Sequence, residues 1–241
     1  MNLNDITVII PTKNEARNIV TFLSNLPSDI PLIVVDSSDD ETREVMQQQR
    51  PENTQIIFKK CTIPEARQTG VEAASSTWVL FSDADMCFDE SYFSNLSGIK
   101  IPENTGAVMG GKHSNKDYKI YYRLYSYAIG IGAFFKFPLG SGSNMILRKK
   151  AVEQIGGFDF ALTHSEDSDI LIRIQKAGWR VVYNSSLKVY EMDHRRLDNG
   201  IFKKFSHGLL RSLLLFTGIK KDKVRQSDWG YWDNKNNKSQ K

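Results

Sequence analysis

The first half of the chain alternates short apolar runs with stretches in which apolar residues recur at helical spacing. Strand-like runs lie at Ile6–Ile10, Pro31–Val35, Gln55–Lys59 and Trp78–Phe81, and Pro11 ends the first. Between them, helical patterns begin at Asn14, cover Thr42–Gln49, and run from Pro64 to Ala74. Strands that alternate with helices predict βαβ units. We therefore expect an α/β fold with a doubly wound, mostly parallel central sheet, flanked by helices, in a single domain.

The second half is less regular. The stretch Ile120–Phe137 is rich in aromatic residues with small residues between them, and it ends at Pro138. Four strands and three helices are predicted around it. The strands are Ala107–Gly110, Asn144–Leu147, Arg180–Tyr183 and Leu187–Tyr190. The helices are Lys149–Ile155, which Gly156-Gly157 closes, Ser168–Ala177 and Ile201–Thr217.

Composition is that of an ordinary globular protein, with 241 residues of which 40% are apolar and 25% charged. Its two cysteines, Cys61 and Cys87, are too few for a disulfide framework and have no metal-binding spacing, which favours a reducing cytoplasm. Residues 1–5 show no signal-peptide pattern, and no apolar run reaches the eighteen residues needed to span a bilayer. We expect a cytoplasmic protein, either soluble or peripheral on the inner face of the cell membrane.

The net charge is only +4, but basic residues concentrate near the C-terminus. They are Lys203, Lys204, Arg211, Lys220, Lys221, Lys223 and Arg225. This cluster favours an anionic partner, either phospholipid headgroups or a phosphorylated ligand. Nucleic acid is not expected, because no recognised binding motif accompanies the charge.

The predicted C-terminal helix is amphipathic. One face would carry Phe202, Phe205, Leu209, Leu213 and Phe216, and the other Lys203, Lys204, His207 and Arg211. Interfacial helices show this pattern, and so do helices that pack on a protein core. We expect a domain at 1–225, with a nucleotide-binding half at about 1–110, an acceptor half at about 111–200 and this helix at about 201–219. A polar tail that we expect to be disordered follows at 226–241.

Two carboxylates follow the fourth predicted strand directly, in Phe81-Ser-Asp83-Ala-Asp85. Residues two apart at a strand end point the same way, and open α/β sheets bind ligands at the carboxyl ends of their strands. Paired carboxylates suit a hard divalent cation that also holds a diphosphate. The spacing alone is weak evidence, because Asp167-Ser-Asp169 repeats it.

Four segments in order resemble family 2 glycosyltransferases, which have the GT-A fold. They are Val8-Ile-Ile-Pro11-Thr-Lys-Asn14-Glu15, Val34-Val-Asp36-Ser-Ser-Asp39-Asp40, Phe81-Ser-Asp83-Ala-Asp85, and Ile155-Gly-Gly-Phe158-Asp159 through Glu166-Asp167-Ser-Asp169-Ile-Leu-Ile-Arg173. The resemblance covers roughly residues 6–196. Each motif alone is weak, but four in order with plausible spacing are a strong signal.

The resemblance implies an inverting, metal-dependent glycosyltransferase that uses a nucleotide-diphosphate sugar. Asp85 would bind Mn²⁺ or Mg²⁺, and some relatives complete this metal site with a histidine near the position of His194. The positions similar to the family's nucleotide-sugar site are Pro11, Thr12, Asn14, Glu15, Asp36, Asp39, Arg67, Asp83, Arg195 and Arg196. The family commonly has Asn where this chain has Gln68.

On the acceptor side, the resemblance implies that Asp167 is the general base that accepts the proton of the attacking hydroxyl. Gly140, Gly142, Asn144 and Glu166 would line the same side. A cation beside the leaving diphosphate and a base across the sugar separate the two roles in space, and a single in-line displacement then inverts the anomeric centre. The acceptor would be a sugar or a lipid-linked molecule, in glycolipid or cell-surface polysaccharide synthesis.

Each assignment has a structural alternative. Asp36 and Asp39 could cap the following helix, Asp83 and Asp85 could form a solvated turn, and Glu166-Asp167 could cap the helix near Ser168. Surface roles would equally explain the other charged positions. These are Arg67, which could form a solvated salt bridge, and His194, Arg195 and Arg196, which could lie in an exposed loop.

Two other functions fit the same fold class. A sugar-phosphate nucleotidyltransferase would usually have a glycine-rich, basic loop after its first strand, whereas this chain has Pro11-Thr-Lys-Asn. A non-catalytic sugar-nucleotide-binding protein would not need a base such as Asp167.

Overall fold

A computed structural model of the chain describes residues 1–115, 117–162 and 165–193, together with Leu210, Leu213, Leu214, Phe216 and Thr217. After a short 3-10 helix at Leu3–Asp5, the first half alternates strands and helices as expected. The elements are β1 (Ile6–Thr12), α1 (Ala16–Asn25), β2 (Leu32–Asp36), α2 (Thr42–Gln49), β3 (Thr54–Phe58), α3 (Ile63–Ala73) and β4 (Trp78–Phe81).

The second half supplies the other side of the same sheet. Its elements are β5 (Met86–Phe88), α4 (Tyr92–Gly98), β6 (Thr105–His113), α5 (Lys119–Phe134), β7 (Met145–Arg148), α6 (Lys149–Gln154), α7 (Glu166–Lys176) and β8 (Arg180–Glu191). In the described residues the sheet has the order β3-β2-β1-β4-β7-β6-β8-β5. Strand β7 runs antiparallel to β4 and β6, and β5 runs antiparallel to β8, whereas the other neighbours are parallel. The predicted mostly parallel sheet flanked by helices is confirmed.

The sheet separates two apolar cores. Ile6, Val8 and Ile10 of β1 face one core, and Ile9 faces the other, because successive side chains point to opposite faces of a strand. Helix α1 covers the first core with Ile19, Phe22 and Leu23, and α3 and α7 cover the second. This burial on both faces explains why β1, β2 and β4 are almost continuously apolar.

Several predicted boundaries were wrong, for identifiable reasons. Strand β1 continues through Pro11 to Thr12, because β4 pairs with β1 only as far as Ile9 and the missing proline N–H falls beyond that pairing. The two strands predicted within 180–190 form one strand, β8. Its register with β6 shifts at one point, because Gly110 pairs with Asn184 and the next residue, Gly111, pairs with Lys188. Helix α7 begins at Glu166 rather than Ser168, so Glu166 and Asp167 lie in its first turn.

The predicted helix Ile201–Thr217 lies mostly outside the described residues. Its described members are helical, and two of them contact the domain: Leu214 packs against Leu162 and Ile172, and the Phe216 ring lies 4.8 Å from that of Phe137. In the part of the chain that the structure describes, no helix is both long and apolar enough to cross a bilayer. The proposed tail at 226–241 falls outside the described ranges.

Candidate active site

The carboxyl ends of β1, β2 and β4 lie side by side, because these strands are neighbours and run parallel. Thr12 pairs with Asp36 across β1 and β2, and Ser82, which follows β4, donates its N–H to the Ile9 carbonyl of β1 at 3.2 Å. The fold therefore gathers the predicted nucleotide residues of the first two strands and the Asp83–Asp85 pair along one edge of the sheet.

Asp36 is fully buried at this edge. Its carboxylate accepts hydrogen bonds from Thr12 Oγ1 at 2.7 Å and from Ser38 Oγ at 2.6 Å, and Arg43 Nε lies 3.5 Å away. It does not cap α2, since Asp40 accepts from the backbone N–H of Thr42 at 3.1 Å. In this structure Asp36 therefore organises the loop after β2, and its contact with a nucleotide stays a prediction.

Asn14 joins the loops that follow β1 and β2. Its backbone is left-handed (φ 57°), its N–H donates to Ser38 Oγ at 2.8 Å, and its Oδ1 accepts from the Asp39 N–H at 2.9 Å. The Asp39 side chain is exposed and pairs with Lys60, whose hydrogen bond and charge lower the pKa of the carboxyl. Glu15 lies in the same arrangement, because its N–H donates to Thr42 Oγ1 at 3.0 Å.

Asp83 and Asp85 lie in the short connection between β4 and β5. Asp85 is buried and its carbonyl accepts from Met192 N at 2.9 Å, whereas the Asp83 side chain keeps 22% of its surface exposed. Two carboxylates at a strand end provide the hard oxygen donors that Mn²⁺ and Mg²⁺ take. Within the described ranges, no three His, Cys, Asp or Glu side chains form a group that could hold a metal ion. His194, the proposed further ligand, lies outside them, as do Arg195 and Arg196.

Arg67 connects the acidic pair to the opposite side of the site. This buried guanidinium lies 3.7 Å from Asp83 Oδ1 through Nη2 and 2.5 Å from Glu166 Oε1 through Nη1. It is therefore not the solvated salt bridge of the alternative interpretation. Burial raises the pKa of Glu166, and the Arg67 charge opposes that rise. One arginine thus holds two carboxylates from distant parts of the chain.

The proposed base, Asp167, is held in the first turn of α7 against the loop before β7. Its Oδ2 accepts from Gly142 N at 3.0 Å, and its Oδ1 accepts from Ser168 N at 2.7 Å. The side chain is half-buried, and each oxygen retains a lone pair for a further donor. Capping and a role as base are therefore compatible in this geometry.

The loop glycines allow this close packing. A Cβ on Gly142 would lie 1.9 Å from Arg67 Nη2, and one on Gly140 would lie 2.6 Å from the Asp167 carbonyl carbon. Gly140 also donates its N–H to Ser168 Oγ at 3.0 Å. These glycines therefore bring the loop against both Arg67 and Asp167, while their contact with an acceptor stays a prediction.

Two side chains have structural partners that the sequence did not indicate. Gln68 Oε1 accepts from Phe158 N at 3.1 Å and so holds the turn in which Gly157 has φ 78°. Asn144 is buried, accepts from Tyr92 OH at 2.7 Å, and donates to the carbonyls of Gly111 and Leu187 at 3.0 and 3.1 Å. Asn144, which we placed on the acceptor side, therefore ties together the strands behind the site.

A buried cluster of Lys112, Tyr122 and Glu191 was missed in the sequence. Lys112 Nζ lies 3.0 Å from Glu191 Oε2, and the Tyr122 hydroxyl donates to the same carboxylate. Burial raises the pKa of Tyr122, and the charges of Glu191 and Asp85 add to the effect. Glu191 pairs with Met86, the residue after Asp85, so this cluster lies near Asp85. The only sequence signal was a Glu at the end of a strand pattern.

Comparison with known proteins identifies the family. The family model described as Glycosyl transferase family 2 matches residues 7–156. The chain is 22% identical over 223 residues to the succinoglycan biosynthesis protein ExoA of Rhizobium meliloti, covering 83% of this chain and 67% of that protein. It is 26% identical over 231 residues to the pre-mycofactocin glycosyltransferase of Mycobacterium tuberculosis, covering 85% of this chain and 46% of the relative.

Solved structures support the same fold. A mannosyltransferase from Pyrobaculum calidifontis, in complex with GDP-Man and Mn²⁺, superposes with a TM-score of 0.69 at 20% identity, over 92% of this chain and 65% of that one. Glucosyl-3-phosphoglycerate synthase from Mycobacterium tuberculosis, in complex with Mn²⁺, UDP and its product, gives 0.64 at 19% identity, over 89% and 80%. The fold is GT-A, and the chain belongs to glycosyl transferase family 2.

Proposed function

We propose that this family 2 glycosyltransferase moves a sugar from a nucleotide-diphosphate donor to an acceptor hydroxyl, with inversion and with a divalent cation. The observation that carries the proposal is the pairing of Arg67 with both Asp83 and Glu166, since it puts the acidic sheet edge next to the turn that bears Asp167. A leaving-group site and a base on separate elements are what a single displacement requires.

In this mechanism Asp167 accepts the proton of the acceptor hydroxyl as the hydroxyl oxygen bonds to the anomeric carbon. The bond from that carbon to the diphosphate breaks on the opposite side, and its electron pair leaves with the phosphate oxygen. The N–H groups of Gly142 and Ser168 hold the Asp167 carboxylate in place during this step. Arg67 keeps Glu166 beside Asp83, so the two sides of the reaction keep their relative positions.

Asp85, with Asp83 beside it and His194 as a further ligand, would hold Mn²⁺ or Mg²⁺. The cation would neutralise the developing charge of the diphosphate without proton transfer. Thr12, Asn14, Asp36 and Asp39 border the same edge, and we propose that the nucleotide lies there. We also propose that the acceptor belongs to a glycolipid or polysaccharide, as the name of ExoA indicates for that relative.

The test is a donor screen on the purified chain. UDP-, GDP- and dTDP-sugars are added with Mn²⁺ or Mg²⁺, and thermal unfolding and release of nucleoside diphosphate are measured. A ligand that binds the native state raises its apparent stability. At least one donor should raise the midpoint only when metal is present, and Asp85→Ala should abolish that increase and lower the release rate at least about 10²-fold.

Asp89→Ala is the matched control, because Asp89 also follows the acidic pair, and among the described residues its carboxylate accepts from Ser91 and Tyr190. It should retain the metal-dependent increase. Donor binding that is unchanged in Asp85→Ala, or unaffected by EDTA, would remove the cation from the proposed reaction.

A further inference from the structure

Helix α5 carries an apolar stripe on its outer face, formed by Ile120, Leu124, Tyr127, Ile131 and Phe134. The five side chains are between 60% and 80% exposed. Their spacing of four and three residues places them on one face of the helix, over a length of about 21 Å. Single exposed apolar residues are common on proteins, but a continuous stripe of this kind marks an interaction surface.

The opposite face of α5 already has partners. Tyr122, Ser126, Ile129 and Gly132 are buried there, and Ser126 Oγ donates to the Lys112 carbonyl at 2.7 Å. The stripe is therefore not a core face that has been turned outward. It is a second apolar face on a helix that is already anchored to β6 and β8.

The charged residues that border the stripe indicate the chemistry of its partner. Lys119 and Arg123 are exposed along one border of the stripe, and the helix contains no acidic residue. Exposed Leu210, Leu213 and Phe216 provide a second apolar group, which is joined to the end of α5 by the contact between Phe137 and Phe216. The sequence around them is strongly basic. Apolar side chains bordered by cations complement an anionic lipid surface rather than the surface of a second basic copy.

The helix also reaches the reaction centre. Tyr125 OH donates to the Gly140 carbonyl at 3.0 Å, and Gly140 lies in the loop whose Gly142 holds Asp167. Because Tyr125 lies on the face of α5 opposite the stripe, a surface that the stripe contacts would be separated from Gly140 by the width of the helix, roughly 10 Å. An acceptor anchored in that surface would have a short path to the base.

From this arrangement we propose that the α5 stripe docks on an anionic membrane surface and that the acceptor is lipid-linked. The second part of this proposal depends on the proposed transferase function, whereas the first does not. The apolar side chains enter the headgroup region, and Lys119 and Arg123 meet anionic lipid at its border. Binding should weaken as salt screens these charges.

The test is flotation of the full chain with vesicles of phosphatidylcholine alone or mixed with phosphatidylglycerol. Two stripe variants are compared, Leu124→Gln/Tyr127→Gln and Ile131→Gln/Phe134→Gln. Each should lower partitioning onto the mixed vesicles by about tenfold or more, because less apolar area is buried. A charge variant, Lys119→Glu/Arg123→Glu, should weaken binding to the mixed vesicles only.

The matched controls make the same kinds of substitution at exposed positions outside the α5 stripe. Val20→Gln/Phe160→Gln changes exposed side chains off the stripe, and Lys100→Glu/Lys150→Glu repeats the charge reversal away from α5. Both should bind vesicles like the unchanged chain. Unaltered thermal unfolding would show that each variant folds, and light scattering without lipid would report self-association.

Equal partitioning of the stripe variants and their controls would overturn the proposal. So would an oligomer in lipid-free buffer that the stripe variants dissociate, because the stripe would then join copies of the chain. Metal-dependent donor binding is measured on the same samples. Vesicle binding without donor binding would refute the transferase function and leave the docking surface supported. Donor binding without vesicle binding would refute the docking surface and leave the transferase function supported.

Discussion

The acidic residues after β2 and those around Arg67 are stabilised in different ways. Asp36 accepts from Thr12 and Ser38, which belong to adjacent strands and loops, and Asp39 pairs with Lys60 in solvent. Glu166 instead depends on an arginine 99 residues away, and both side chains are nearly buried. The residues after β2, the local region, have partners on neighbouring strands and loops, so their positions do not depend on the rest of the site. The residues around Arg67, the long-range region, come together only when the two halves of the sheet have assembled.

The largest effect should follow Asp167→Asn, which removes the proposed proton acceptor from the long-range region. Turnover should fall about 10²–10⁴-fold, because the amide cannot take the acceptor proton. Donor affinity should stay close to that of the unchanged chain, since we propose that Asp167 acts on the acceptor and not on the donor. Steady-state kinetics and calorimetric titration with the donor separate the two quantities. Turnover that survives the substitution would leave Asp167 as a helix cap.

A smaller but general loss should follow Glu166→Gln. The substitution keeps the side-chain volume. Among the described residues, buried Arg67 then has Asp83, at 3.7 Å, as its remaining charged partner. The free energy of unfolding should fall by about 3 kcal/mol, as for other broken buried pairs. Urea unfolding measures this, with Glu90→Gln at an exposed position as the control. Equal losses in both variants would show that Arg67 does not need its long-range partner.

The smallest effect on stability should follow Asp39→Asn in the local region. The exposed pair with Lys60 is screened by solvent, so the unfolding midpoint at neutral pH should hardly change. Because Lys60 lowers the pKa of Asp39 below its ordinary 3.8, any contribution is complete above that pH. It is lost as the pH falls through the lowered value. Unfolding midpoints from pH 2 to 7, for variant and unchanged chain, test this.

The same variant distinguishes two roles for Asp39. Lower donor affinity with unchanged stability would support nucleotide contact, whereas equal donor affinity would leave only the surface pair with Lys60. A midpoint that falls as far as that of Glu166→Gln would contradict the difference drawn between the two regions.

The sequence predicted the local region well because its signals are local. The apolar runs of β1, β2 and β4 end directly at the polar residues of the sheet edge, and parallel strands bring such ends together. Strand β5 and helix α4 were not predicted. Both are short, and three residues such as Met86–Phe88 are too few to show an alternation of apolar and polar positions. The pairing of Arg67 with Glu166 and the position of Glu191 near Asp85 depend on the packing of distant segments, which periodicity does not encode.

Strand β5 has a consequence for how the chain acquires its site during translation. It begins one residue after Asp85, and the strand that pairs with it is β8, which ends at Glu191. A nascent chain can therefore form β1 to β4 early, while the segment that carries Asp85 has no neighbouring strand. Contacts over such sequence distances form late in folding. A chain released before residue 191 would resemble the complete domain along β1–β4 and still lack the strand that fixes Asp85.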